Sequence, residues 1–151
     1  MFDLDLPSQA HAVRHALNSH GPRAALAMLN DRTGFRFTAL YKLTDGEMRA
    51  AHAYDRSSEY RSWVSAVPLE SSFCQYAIEH GEFMTTNASA DDRLTRPYAG
   101  LVESYYGRVL RRADGSAWGT FIHFDLEPRE IDEEERSFLA EVIPLFVDHL
   151  D

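Results

Sequence analysis

Residues 108–138, RVLRRADGSAWGTFIHFDLEPREIDEEERSF, read as strand, tight turn, strand, short loop and capped helix. Asp114-Gly115 supplies the turn, because Gly tolerates positive φ and Asp can hydrogen-bond its own backbone. Tyr105 to Leu110 before it and Trp118 to Phe124 after it are rich in aromatic and β-branched residues, as strands are. Asp132 then stands three residues before Glu135, a capping-box-like helix start with Asp in the Ser/Thr role.

Upstream, Phe35 to Leu43 alternates. Phe35, Phe37, Ala39, Tyr41 and Leu43 fall on one face, and Arg36, Thr38, Leu40 and Lys42 on the other. Asp45-Gly46 turns this strand into a second, Glu47 to Tyr54, which predicts another hairpin. Before it lie two helices, Ser8 to Asn18 and Arg23 to Asn30, separated by Gly21-Pro22 and ended at Thr33-Gly34. Residues 55–68 lack clean periodicity. Ser71 or Ser72 is placed to cap a helix that runs to His80 and stops at Gly81. A short strand, Phe83 to Thr86, leads into a polar loop from Asn87 to Gly100, and Pro144 predicts a kink or break in the last helix. This order predicts an α+β fold: a central antiparallel sheet of five or six strands, with terminal helices on one face and the Phe73 helix on the other.

At 151 residues the chain is the size of one domain, and no repeat or linker-like stretch divides it, so 1–151 is read as a single domain. The net charge of −9 argues against nucleic acid as a partner. Arg108, Arg111 and Arg112 flank a hairpin turn and read as a solvated strand edge. No apolar run approaches the ~20 residues of a membrane span, and the acidic N-terminus is unlike a secretory signal, so a cytoplasmic location with no membrane partner is expected. A single cysteine, Cys74, excludes an intrachain disulfide and a multi-Cys zinc site.

The 108–138 stretch resembles the last third of a GAF domain. VPLESSFCQYAIEHGEFMTTNASADDR (67–93) is similar to the family's recurrent middle section, with a Val-Pro lead-in, a Ser-Phe-Cys helix start, a Gly after the helix and a polar Ala-Asp-x-Arg loop. Ser104-Tyr105-Tyr106-Gly107 and Gly119-Thr120-Phe121 match the usual strand starts. The resemblance covers about 33–145, with 1–32 as an N-terminal helical segment. It implies a GAF-like (profilin-like) sheet, and a job in sensing or signalling rather than catalysis.

Cys74 reads two ways: a thiolate stabilised near a helix start, or a small buried apolar residue. The packing reading is preferred, since the family carries Cys here in many proteins without thiol chemistry. The enzymatic GAF subfamily, free methionine-(R)-sulfoxide reductase, needs attacking and resolving thiols. This chain has one cysteine, and the stretch 99–106, where that attacking cysteine would fall, has none. The Cys-His pair of phytochrome-type chromophore pockets is missing, Cys74 being followed by Gln75. The cyclic-nucleotide GAF signature is absent as well, so no cofactor is named.

Of seven histidines, His11 and His15 are four apart on a helix face but read as solvated, and no metal site is assigned. His52 and His123 lie within strands and could face a pocket or sit in the core. The expected function is a non-catalytic sensory or regulatory domain, with no catalytic residue assigned. It would bind a small organic ligand between sheet and Phe73 helix, with Tyr41, His52, Phe73, Cys74, Tyr105 and His123 as candidate ligand-binding residues. The alternative is a ligand-free dimerisation or protein-interaction module, and a free methionine-(R)-sulfoxide reductase-like enzyme is the third reading. Phe138, Leu139, Val142, Ile143, Leu145, Phe146 and Leu150 give the last helix a wide apolar arc, which predicts a homodimer through the terminal helices. With no output domain before Asp151, a signal would pass to a separate protein or through altered pairing.

Overall fold

Two hairpins, and the pairing between them, build the sheet. Asp45 and Gly46, at φ 51° and 78°, make the two-residue turn between β1 (Phe37–Thr44) and β2 (Glu47–Asp55). A turn with positive φ at both central residues matches the twist of the flanking strands. Between β5 (Ser104–Arg111) and β6 (Ala117–Asp125), Gly115 sits at φ 90°, and Asp114 Oδ1 accepts from Ser116 N at 2.9 Å and Ser116 Oγ at 2.6 Å. Both expected turns form for the reasons their residues supply.

The computed structural model describes residues 6–57, 66–68, 73–91 and 102–150. With β3 (Ala66–Pro68) and β4 (Glu82–Thr85) added, the sheet has six antiparallel strands in the order β3-β2-β1-β6-β5-β4. β3 lies inside the stretch whose periodicity gave no strand. Three residues are too few to show alternation, and Pro68 suits an edge strand, where an amide donor can be spared.

Helices α1 (Leu6–His20), α2 (Pro22–Asp31) and α4 (Glu133–Val142) cover one face, and α3 (Cys74–His80) covers the other. Gly21, at φ 89°, separates α1 from α2, and Gly81, at φ 91°, ends α3. Ser71 and Ser72 lie outside the described residues, and the N-cap position of α3 belongs to Phe73, without a side-chain cap. Asp132 caps α4 by accepting from Glu135 N at 2.8 Å. The Glu135 carboxylate does not reach back to the cap. It forms an ion pair with Arg32 at the end of α2 (2.8 Å), and the Arg32 guanidinium lies 3.9 Å above the Phe138 ring.

Both sheet faces are buried, so β1 carries core residues on each side. Leu40 joins Leu17, Leu26, Tyr106, Trp118, Phe121 and Phe138 under α1, α2 and α4; Phe37, Ala39 and Tyr41 join Met48, Phe73, Cys74, Tyr105 and Phe124 under α3. Phe35 corrects the expected alternation. It precedes the strand, and its ring stacks on His123, on the face opposite Phe37.

Pro144 has the expected effect: α4 stops at Val142 and a 3₁₀ segment, Ile143–His149, continues. That tail folds onto its own sheet. Phe138, Leu139, Val142, Ile143 and Phe146 are each 1% exposed or less within the single chain, and Leu145 and Leu150 pack at the margin of the same cluster. The apolar arc of the last helix is therefore taken up within the chain.

Asp125 ties the strand ends together. Nearly buried, it accepts from Arg36 N at 3.0 Å, Glu127 N at 3.1 Å and Arg129 Nε at 2.9 Å. At the other end, Gly119 lies so close to β1 that an added Cβ would stand 1.9 Å from the Tyr41 carbonyl oxygen. No side chain fits there without parting the two central strands. Gly119→Ala is therefore expected to lower stability by on the order of 3 kcal/mol, measured by urea unfolding. A loss below about 0.5 kcal/mol would show that the strands can part freely.

Candidate functional site

The candidate site is the sheet face under α3, and strand alternation places its lining. Tyr41, Tyr105 and Thr120 come from β1, β5 and β6, and Phe73, Cys74 and Ala77 come down from the helix side. Most of the lining is apolar or aromatic. Phe37 and Phe124 stack across neighbouring strands at 4.5 Å, and Phe73 meets Tyr105 edge-on at 5.5 Å.

One polar cluster interrupts this face. Tyr105 Oη donates to Cys74 Sγ at 3.2 Å, and Thr120 Oγ1 donates to the same sulfur at 3.3 Å. Gly107 makes the first bond possible, because its Cβ would fall 2.2 Å from the Tyr105 hydroxyl. The phenol ring lies back along its own strand, over the space a side chain would fill. Burial, and then the adjacent sulfur, push the Tyr105 pKa well above that of an ordinary phenol, so the hydroxyl remains a donor. Cys74 is 3% exposed. Its sulfur is a buried acceptor on a largely apolar face.

Over β1 and β2 two alanines, Ala39 and Ala53, leave a small gap among aromatic side chains. A cavity of about 10 Å³ is lined by Phe37, Ala39, Tyr41, Ala53, Asp55 and Phe124, with part of Tyr54. Arg36 closes its rim by pairing with Asp55 through both carboxylate oxygens, at 2.9 and 3.1 Å. The pairing holds the Asp55 pKa below the ordinary carboxylate value against the opposing effect of burial. α3 itself lies over β4, β5 and β6. The connections at 69–72 and 92–101, which adjoin α3 and β5 in the sequence, lie outside the described residues.

Of the six residues expected to line one pocket, Tyr41, Phe73, Cys74 and Tyr105 do come together. His52 and His123 do not. His52 stands opposite Leu40, and His123 stands opposite Thr38 and Tyr106, all of them on the face under α1, α2 and α4. The reason is the two-residue period of a strand: with Ile122 and Phe124 under α3, His123 must point the other way. Thr120 and Gly107 were the residues missed. Both stood inside quoted motifs, and only the packing of Tyr105 and Cys74 reveals their roles.

His123 is fully buried, stacked on Phe35 at 5.5 Å and edge-on to Phe121 at 5.1 Å. Its Nδ1 lies 2.6 Å from Thr38 Oγ1, and its Nε2 has no hydrogen-bond partner. Burial, assisted by the charge of Arg56, pushes its pKa down to about 3. His52 is also lowered, by burial alone. Among the described residues no group of three or more His, Cys, Asp or Glu side chains is placed to hold a metal ion, and no helix is long and apolar enough to cross a membrane.

No protein-family model and no curated protein sequence matches the chain. Solved structures do. The GAF domain of an Acinetobacter phosphoenolpyruvate-protein phosphotransferase superposes with a TM-score of 0.77 at 11% identity, over 97% of this chain and 93% of that one. Free methionine-R-sulfoxide reductase from Neisseria meningitidis, solved in complex with its substrate, gives 0.75 at 13% identity, over 99% and 93%. The phycocyanobilin-bound GAF domain of a cyanobacterial phytochrome gives 0.73 at 14% identity, over 97% and 94%. The fold is GAF, as the motifs implied, and it is one shared by sensor domains and by enzymes.

The buried histidine predicts acid sensitivity. His123 has a folded-state pKa of about 3 against 6.5 for an ordinary histidine, so above that ordinary value it is neutral in both states and costs nothing. As pH falls below it, protons bind the unfolded chain first, and stability drops until the folded pKa is reached. Between about pH 7 and pH 4.5 the loss from this group is on the order of 2 kcal/mol. Urea titrations at the two pH values should show it, and His123→Leu should remove most of that slope. An unchanged slope in the variant would mean that other groups carry the acid sensitivity.

Proposed function

We propose, taking the GAF fold as the premise, that the chain is a non-catalytic sensory or regulatory domain. It binds a small organic ligand on the α3 face of its sheet. The carrying observation is the composition of that face: aromatic and small apolar side chains around one buried polar group, Cys74 with its two hydroxyl donors. Ligand sites are largely apolar with a few fixed polar anchors. The similar structures from Neisseria and from the cyanobacterial phytochrome carry a substrate and phycocyanobilin respectively, which supports a small organic molecule as the class of ligand.

Against thiol reductase chemistry stand the lone cysteine and its burial. A disulfide-forming turnover needs a second thiol to resolve the first. A second reading, a ligand-free pairing or protein-interaction module, draws support from the small size of the cavity over β1 and β2. About 10 Å³ holds one water at most.

Thermal melting against a metabolite library separates the readings. A ligand present at 100 times its Kd is expected to stabilise by about 2.7 kcal/mol. Ala53→Leu, which extends a half-buried alanine into the cavity, should abolish that shift while the protein stays folded. If no compound raises the melting temperature and Ala53→Leu melts higher than the parent, the site is space the protein fills by itself. Turnover of free methionine sulfoxide with a dithiol reductant is expected to be absent, and its presence would overturn the non-catalytic reading.

A further inference from the structure

Arg56 follows strand β2 and is exposed, yet its guanidinium is committed to the end of helix α2. Nη2 donates to the carbonyls of Asn30 and Thr33, both at 2.8 Å, and Nε donates to Asn30 Oδ1 at 3.0 Å. Carbonyls at a helix C-terminus lack intrahelical partners and favour a cation. The Arg56 backbone amide meanwhile bonds Arg36 O at 3.0 Å, which fixes the residue to the start of β1.

From Asn30 the bonds run inward. Asn30 is fully buried, and its Nδ2 donates to Phe35 O and to Thr38 Oγ1, both at 2.9 Å. Having accepted that bond, the Thr38 hydroxyl still has its own proton to give, and His123 Nδ1 lies 2.6 Å away. Donation runs from Arg56 to Asn30 and from Asn30 to Thr38, and a Thr38 hydroxyl that gives its proton to His123 Nδ1 would continue it in the same direction. An imidazole that accepts at Nδ1 keeps its proton on Nε2, the buried atom without a partner.

We propose that Arg56 is a latch joining the exit of β2 to helix α2, and that its hold on Asn30 sets the tautomer of His123 at the centre of the sheet. Arg56 directly follows β2, so a displacement at the end of that strand would be felt by α2 on the opposite face. The latch depends on the proposed sensory reading only for what moves Arg56. The bond chain exists without a ligand and is tested without one.

The experiment is NMR on the ligand-free protein, reading amide hydrogen exchange and the imidazole nitrogen shifts of His123 in three chains: parent, Arg56→Gln and Thr38→Val. The parent should show the Nε2–H tautomer. In Arg56→Gln the amides that close the end of α2, Arg32 and Thr33, should exchange roughly tenfold faster, and His123 should become a mixture of tautomers. Thr38→Val cuts the chain beyond Asn30. It should disturb His123 while leaving α2 exchange at the parent rate. Unchanged spectra in Arg56→Gln would overturn the latch. So would exchange accelerated throughout the protein, since Arg56 would then support overall stability only. Failure to find a ligand for the α3 face affects neither readout.

Discussion

The structure depends on the contact between β1 and β6. These strands belong to different hairpins, formed far apart in the chain, and lie at the middle of the sheet order. At Gly119 their backbones approach so closely that a methyl group has no room. Asp125 secures the opposite end of the same pair by accepting the amide of Arg36. Once this pairing is set, strand parity determines which side chains go to which face. The helix-covered core and the α3 site are thus two consequences of one registration.

Some of this was readable from the residues. Asp45-Gly46, Asp114-Gly115 and the Asp132 cap act through local geometry, so their neighbours in sequence are enough to identify them. Alternation in β1 correctly separated Tyr41 from Leu40. The facing of one strand relative to another was not readable, because it depends on register between segments far apart. For that reason the two histidines were placed with Tyr105 although they stand behind it. β3 escaped for a different reason: an edge strand of three residues has too few positions to carry a pattern.

The two faces handle polar groups differently. Under α3, Cys74 accepts from two hydroxyls, and the Arg36–Asp55 ion pair stands at the rim over β1 and β2. On the other face, charges hold the helical layer to the sheet. Glu82 on edge strand β4 accepts from Tyr106 Oη at 2.6 Å and pairs with Arg136 of α4 at 2.9 Å. These partners keep its pKa low despite the cost of burial. Ion pairs of this kind, partly exposed, are worth little individually, and they orient α4 more than they stabilise it.

The clasp between Arg32 and Glu135 bears on how the chain comes to fold. Its partners are 103 residues apart, and the first two helices share their core with Phe138, Val142 and Phe146. Contacts over such distances close large loops before they are rewarded, which slows folding relative to chains built from local contacts. During synthesis β1 and β2 emerge well before β6 and α4. Their hairpin can be covered by α1 and α2 on one face but must wait with its α3-side apolar residues bare and the β6 edge of β1 unpaired. Nascent chains halted short of residue 117 should be the aggregation-prone species of this protein, and the cell's holding chaperones would meet it there.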